Sequence, residues 1–301
     1  MYIPYYSANI FFRERFGGEK IWKIPINAGF ACPNKDGKIS KLGCIYCDAY
    51  SSGPLKTFAL SIEKQIEIFM KQRTEKQFIA YYQANSSTYA PIEKLKEKYN
   101  IIFKYKNIKG LFIGTRSDAI ENETYALLDE LNKKTYLCVE LGLQSIHQKS
   151  LNFLNRNHSY SNFIQTFRKL KELNIDVVVH LIIGIPDETK EDMLKTVEQI
   201  NILKPAGIKF HMLHLLKDTP LLELYKRKKF KLFEMEEYTD LIVYLLERLD
   251  KDIIIHRLTG ERDKEIFVAP MWALKKAETI QLIQKKMIEA NTYQGIYVKN
   301  D

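Results

Sequence analysis

Cysteine is scarce, with four residues in a chain of 301. That is too few for a disulfide scaffold, and a reducing compartment would keep such thiols available to metal or redox chemistry. No apolar run reaches the roughly 18 residues that a membrane span requires. The start, MYIPYYSANIFFRERFGGEK, has no short apolar core ending in a small-residue cleavage site. Together these absences predict a cytoplasmic chain with no membrane association. Low-complexity tracts and short internal repeats are missing too. With 46% hydrophobic and 12% aromatic residues, the chain is apolar enough to bury a sizeable core. Acidic residues fall short of basic ones: 46 Lys and Arg against 37 Asp and Glu leave a net +9, which favours a polyanion such as RNA as a partner.

Six apolar runs have strand length: KIWKIPI (20–26), FIAYY (78–82), GLFIG (110–114), YLCVELGL (136–143), DVVVHLIIGI (176–185) and GIKFHML (207–213). Apolar residues at helical spacing lie between them, at Ile62, Ile66, Phe69 and Met70, then Phe163, Phe167 and Leu170, then Met193, Val197 and Ile200. Strand and helix alternate, which predicts an α/β fold with a parallel sheet and helices on its outer face. Ser145 with Gln148, and Thr189 with Asp192, have the spacing of capping boxes just after a strand. From about residue 220 the chain turns helical and Lys-rich, with a brief strand-like IIIHR (253–257) and no Gly/Pro-rich linker. It reads as an extension packed on the core.

In β/α barrels, chemistry gathers where the strands' C-terminal ends converge. Those ends are polar here, with Gln83-Ala84-Asn85-Ser86, Gly114-Thr115-Arg116-Ser117-Asp118 and Gly142-Leu143-Gln144-Ser145. The loop after the first strand carries Cys32, Cys44 and Cys47, spaced C-x11-C-x2-C among Gly29, Gly37 and Gly43. A structural zinc site normally takes four protein ligands, and the only other cysteine, Cys138, is far off on an apolar strand. Three thiolates on a [4Fe–4S] cluster would leave one iron open to a non-protein ligand. A zinc site, or a redox pair at Cys44 and Cys47, remains as an alternative at this level.

Three clustered cysteines with an aromatic residue, Tyr46, before the last resemble the cluster motif of radical S-adenosylmethionine (SAM) enzymes. The flanks narrow the likeness. Ala28–Gly37 and Gly43–Cys47, followed in order by GTRSD (114–118), ELGLQS (140–145), LNRNH (154–158), HLIIGIP (180–186) and KFHMLHLLKDTPL (209–221), resemble the YhcC-like family of radical SAM proteins. The core is also similar to that of the Elongator catalytic subunit and of oxygen-independent coproporphyrinogen oxidase. This implies a partial six-stranded TIM-like barrel, with a radical SAM core over 16–250 and a helical C-terminal extension over 251–301.

The same resemblance implies a [4Fe–4S] cluster on Cys32, Cys44 and Cys47. It also implies SAM contacts from Tyr46, Gln83, Asn85, Gln144, Arg156 and His180, and one-electron supply from a donor such as flavodoxin or ferredoxin. Gln83-Ala84-Asn85 stands where relatives carry a Gly-Gly-Glu type segment, so Gln83 and Asn85 would act with amides and backbone. Strand alternation places Cys138, Glu140, Gly142 and Gln144 on one face, opposite Leu137, Val139, Leu141 and Leu143. The polar face is expected to look into the barrel, with Cys138 a packing residue. An internal salt bridge accounts for Arg116 and Asp118 as well as catalysis does. His211 and His214 receive no chemistry.

The tract YKRKKFK (225–231) mixes cations with aromatics, as does a surface that grips RNA phosphates and stacks on unpaired bases. The resemblance implies tRNA as partner, with modification of the C5 side chain of the wobble uridine from carboxymethylaminomethyl-uridine towards aminomethyl-uridine. Two alternatives stand beside it: a radical SAM enzyme acting on a small molecule such as a tetrapyrrole, and a non-catalytic metal-containing RNA-binding module.

Overall fold

The computed structural model describes residues 2–51, 57, 59–260 and 262–298. Residues 261 and 299–301 of the expected extension therefore lie outside the described residues. Strands β1 (Ile21–Ile26), β2 (Gln77–Tyr82), β3 (Ile108–Thr115), β4 (Tyr136–Gln144), β5 (Asp176–Ile183) and β6 (Gly207–Met212) lie side by side in chain order, every pair parallel. The chain then leaves the sheet as β7 (Leu215–Leu216). Next comes β8 (Ile254–Arg257), which pairs parallel with β6 as a seventh strand, while β9 (Phe267–Ala269) pairs antiparallel with β7. The strand-like IIIHR of the C-terminal region thus extends the expected sheet of six.

Ten α-helices connect these strands among the described residues: α1 (Ala8–Arg15), α2 (Ile62–Lys71), α3 (Ile92–Asn100), α4 (Asn122–Asn132), α5 (Gln148–Phe153), α6 (Tyr160–Glu172), α7 (Lys190–Leu203), α8 (Pro220–Arg227), α9 (Met235–Leu246) and α10 (Lys276–Glu289). Helix α7 starts at the capping box expected from sequence: Thr189 Oγ1 accepts from Asp192 N at 3.1 Å, and Asp192 accepts from Thr189 N at 3.2 Å. The other box does not form. Helix α5 is preceded by His147, and Ser145 Oγ instead accepts from His147 N (3.1 Å) and donates to Glu188 (2.5 Å). A carboxylate just past the next strand, β5, takes the hydroxyl because it is partly shielded from water and needs a donor.

The pleat divides each strand between two environments. On β4, Leu137, Val139, Leu141 and Leu143 point outward and join one continuous core with Phe163, Phe167 and Leu170 of α6 and Met193, Val197 and Ile200 of α7. The other face looks inward. There the sheet is strongly curled, because Lys23 Nζ on β1 lies 3.0 Å from His256 Nδ1 on β8, the opposite edge. In a flat sheet those edges would stand about 29 Å apart at about 4.8 Å per strand. A half-barrel with a filled lumen results. Its lower end is closed by Ile21, Ile79, Phe112, Cys138 and Val178, plugged by Phe12 of α1, whose ring sits 6.0 Å from that of Phe112. Cys138 is fully buried in this plug, in keeping with a packing role.

Candidate active site at the barrel mouth

Above the apolar plug, the lumen opens into a cavity of about 780 Å³. All nine site residues expected from the sequence line it: Cys32, Cys44, Cys47, Tyr46, Gln83, Asn85, Gln144, Arg156 and His180. They arrive from the loop after β1, from the C-terminal ends of β2 and β4, from the segment between α5 and α6, and from β5.

The thiol loop is held by the segment that follows α5. Ile45 N donates to Leu154 O (3.1 Å), Asn155 Nδ2 to Gly43 O (2.6 Å), and Asn157 Nδ2 to Asn34 Oδ1 (2.8 Å). Asn155 and Asn157 both sit in left-handed backbone, φ 50° and 55°, which asparagine tolerates better than most residues. The two asparagines of LNRNH are therefore clamps on the cysteine loop. Gly43 has a tight neighbour in Lys35, whose side chain a Cβ would meet at 3.0 Å. Lys35 Nζ in turn donates to Asp48 O (2.8 Å) and Ser51 Oγ (2.5 Å), tying the loop's two limbs together.

Cys44 Sγ is surrounded by donors. Asn34 Nδ2 lies at 3.4 Å, Arg156 Nη1 at 3.6 Å and Arg116 Nη1 at 3.8 Å. Burial pushes this thiol's pKa up, but the guanidiniums of Arg156 and Arg116 outweigh burial and hold it below the ordinary value. Cys47 is pushed up to about 11 by burial, with only the Lys35 ammonium to offset it. Three thiols lining one cavity, one of them braced by two guanidiniums and an amide, fit an iron–sulfur cluster, whose sulfur ligands carry negative charge and accept hydrogen bonds. Arg116 is fixed by a two-pronged ion pair to Asp118 at 2.8 and 2.7 Å, so the salt bridge foreseen between them also aims a guanidinium at Cys44.

Arg156 is braced on three sides. It donates from Nε to His158 Nε2 (2.8 Å) and from Nη2 to Gly142 O (2.8 Å), besides its contact with Cys44. The slot it occupies exists because residue 142 has no side chain: a Cβ there would meet Arg156 Nη2 at 2.7 Å and Gln144 Nε2 at 2.8 Å. The register between β4 and β5 shifts at Gly142/Gln144, and Gln144 takes φ 76°. Such a bulge re-aims a side chain at a strand end, and backbone of this kind costs roughly 1–3 kcal/mol. Asn85 is also left-handed at φ 57° and anchors its amide on Phe30 O at 2.9 Å.

His180 lines the cavity, and its Nε2 pairs at 2.8 Å with Glu140, which lies deeper in the barrel. Glu140 also accepts from Lys23 Nζ at 3.0 Å and from Lys209 Nζ, which further contacts the Tyr81 hydroxyl at 3.2 Å. Burial opposes the Glu140 charge, but Lys209 and Lys23 outweigh burial and hold its pKa well below the carboxylate range. Burial brings Lys209 down to about 7 and His180 down to about 4. Sequence reasoning placed Glu140 on the inner face but missed Lys23 and Lys209 as its partners, and it gave no role to His211 on the same face as Lys209. Their signal was one charged or imidazole residue at inward positions of otherwise apolar strands. His211 does line the cavity, with its ring 5.1 Å from that of His180.

The basic tract at the end of α8 and just beyond it is only partly available. Lys226 pairs with Glu223 at 2.8 Å and Lys231 with Glu237 at 2.5 Å, while Phe230 packs against Tyr225 (5.0 Å) and Phe153 (6.3 Å). No helix among the described residues is long and apolar enough to cross a membrane.

The pattern of the Radical SAM superfamily matches residues 35–200, and that of the Radical_SAM C-terminal domain matches 205–289. YtqA of Bacillus subtilis (strain 168) is 35% identical over 296 residues, 97% of this chain and 92% of its own. YhcC of Escherichia coli (strain K12) is 31% identical over 258 residues, 85% of this chain and 83% of its own. A tRNA uridine(34) acetyltransferase of Methanocaldococcus jannaschii is 28% identical over 152 residues, 50% of this chain and 28% of its own. In structure, the chain is similar to archaeal Methanocaldococcus infernus Elp3 with a TM-score of 0.69 at 21% identity, covering 91% of this chain and 64% of that one. The chain therefore belongs to the radical SAM superfamily, in the company of YtqA and YhcC, and works with a [4Fe–4S] cluster and SAM.

Proposed function

We propose that this radical SAM enzyme modifies tRNA at the C5 side chain of the wobble uridine, taking carboxymethylaminomethyl-uridine towards aminomethyl-uridine. In this reading Cys32, Cys44 and Cys47 hold the cluster, while Tyr46, Gln83, Asn85, Gln144, Arg156 and His180 surround SAM. When bound, cluster and SAM together supply a carbon-centred radical that abstracts hydrogen. The chain's own task is to orient the substrate, exclude water and keep stray donors away. Cys138 is kept out of reach by its burial in the plug, where its thiol is pushed well above the ordinary value.

The observation that carries the reading is that the three thiols and the six side chains assigned to SAM all line one cavity. The substrate rests on two supports: the net +9 charge, and the likeness to a protein named as a tRNA uridine(34) acetyltransferase. A base in the anticodon loop is already unpaired and turns into such a mouth at low cost. Reduction of the cluster needs a one-electron donor, for which flavodoxin or ferredoxin fits.

Anaerobically reconstituted protein given dithionite and SAM is expected to release 5′-deoxyadenosine, and Cys44→Ala to release none. Bulk tRNA from cells lacking the gene is expected to accumulate carboxymethylaminomethyl-uridine and lose aminomethyl-uridine, as read by nucleoside mass spectrometry. Unchanged nucleosides would remove the tRNA assignment while leaving the SAM chemistry intact.

A further inference from the structure

The charged layer inside the barrel carries more positive than negative charge. Glu140 is 1% exposed and Lys209 4%, and the carboxylate faces two ammonium groups, Lys23 and Lys209. The neighbouring rings do not supply a second negative charge and, being buried, are held neutral: His180 is down to about 4 and His256 well below its ordinary value. The guanidinium of Arg257 adds to the positive field felt by Lys209. Removing an uncompensated cation from water costs several kcal/mol, so proteins seldom keep one without an anion to meet it. One group in this layer lacks a partner outright: Nε2 of His211 is buried with no hydrogen bond among the described residues. All of these side chains line the same cavity as the thiols.

We propose that this layer receives a carboxylate carried by the substrate, with Lys209 and Lys23 as its counter-ions and His211 Nε2 as a hydrogen-bond donor. With both lysines protonated the ions in direct contact carry a surplus of a single charge, and an arriving carboxylate favours that protonated state of Lys209, which burial opposes. A carboxylate cancels the surplus, whereas a phosphate monoester, at about −1.5 to −2, would reverse it. The position along the barrel suits a group on a side chain. Glu140 lies four residues below Gln144 on β4, about 13 Å deeper at about 3.3 Å per residue. His211 stands two residues nearer the mouth than Lys209 on β6. In the sheet register Lys209 stands level with His180 and Gly142, above Glu140, so a carboxylate held between Lys209 and His211 lies at the upper edge of the layer.

The inference rests on the reading of the cavity as a site for the wobble-uridine side chain. It assigns to Lys209 and His211 the discrimination between carboxymethylaminomethyl-uridine and aminomethyl-uridine. The test uses anaerobically reconstituted holoenzyme and two anticodon stem-loop RNAs that differ only in that nucleoside, with Kd read by fluorescence anisotropy at one fixed salt. Wild-type protein is expected to bind the carboxylate-bearing RNA at least about ten-fold tighter. Lys209→Met should abolish the preference by weakening the carboxylate-bearing RNA far more than the aminomethyl RNA, and His211→Gln should shrink it. Lys209→Arg keeps the charge and should retain the preference, which guards against a folding defect being mistaken for a lost contact. Equal wild-type affinity for the two RNAs, or a preference that survives in Lys209→Met, overturns the inference. If neither RNA binds even at low salt, the tRNA reading falls and the inference with it.

Discussion

At the scale of single residues, the site depends on atoms that are missing as much as on those present. Gly142→Ala would put a methyl 2.7 Å from Arg156 Nη2 and 2.8 Å from Gln144 Nε2, so both side-chain ends must shift from where they face the cavity. We expect SAM affinity to weaken about ten-fold, roughly 1.4 kcal/mol, measured by calorimetry on reconstituted protein. Glu140→Gln leaves Lys23 and Lys209 without their carboxylate, and urea unfolding should report a loss of about 3–5 kcal/mol. Acid should act through the histidines. His180 titrates at about 4 in the folded chain against 6.5 as a free side chain, so the unfolded chain binds more protons between those values. Stability therefore falls as pH drops from 6.5 towards 4. His180→Gln should flatten that slope, as read from urea midpoints across the same interval.

At the scale of elements, α1 is the stopper of the barrel. Its Phe12 meets Phe112 and His256 in edge-on contacts at 6.0 and 5.9 Å and separates the charged layer from solvent at the lower end. Phe12→Ala should cost about 3–5 kcal/mol in urea unfolding, because the surrounding strands cannot collapse into the gap. The strands were readable in sequence because buried parallel strands are short apolar runs, and each of the six found there corresponds to an observed strand. Local signals were less dependable. The Thr189 box forms, whereas Ser145 turns to Glu188, a partner 43 residues away that no three-residue spacing reveals. The asparagines of LNRNH were likewise opaque, since their left-handed backbone has meaning only against the thiol loop they clasp.

At the scale of the whole molecule, the surplus of +9 is spread over a surface on which many lysines are paired, including Lys286 with Asp240 at 2.5 Å. If tRNA phosphates are the contact, log Kd should rise linearly with log salt, at a slope near 0.9 per phosphate neutralised on duplex stems and about 0.7 on single strands. A flat salt response in a filter-binding series would speak against the basic surface as the docking face.

The sequence by itself determined the run of strands, the inner and outer faces of β4, the three thiols and the polar mouth, because pleat alternation and cysteine spacing are local and periodic. Only the tertiary structure decided what those inner residues meet. Lys23 reaches Glu140 across 117 residues and Lys209 reaches it across 69, and neither pairing exists until the sheet curls and brings opposite edges together. Periodicity says which side of a strand a residue is on, whereas curvature decides whether that side becomes a surface or the inside of a barrel. Inside the curl these side chains are largely shielded from bulk water, and two lysines, a glutamate and a histidine must answer one another's charge.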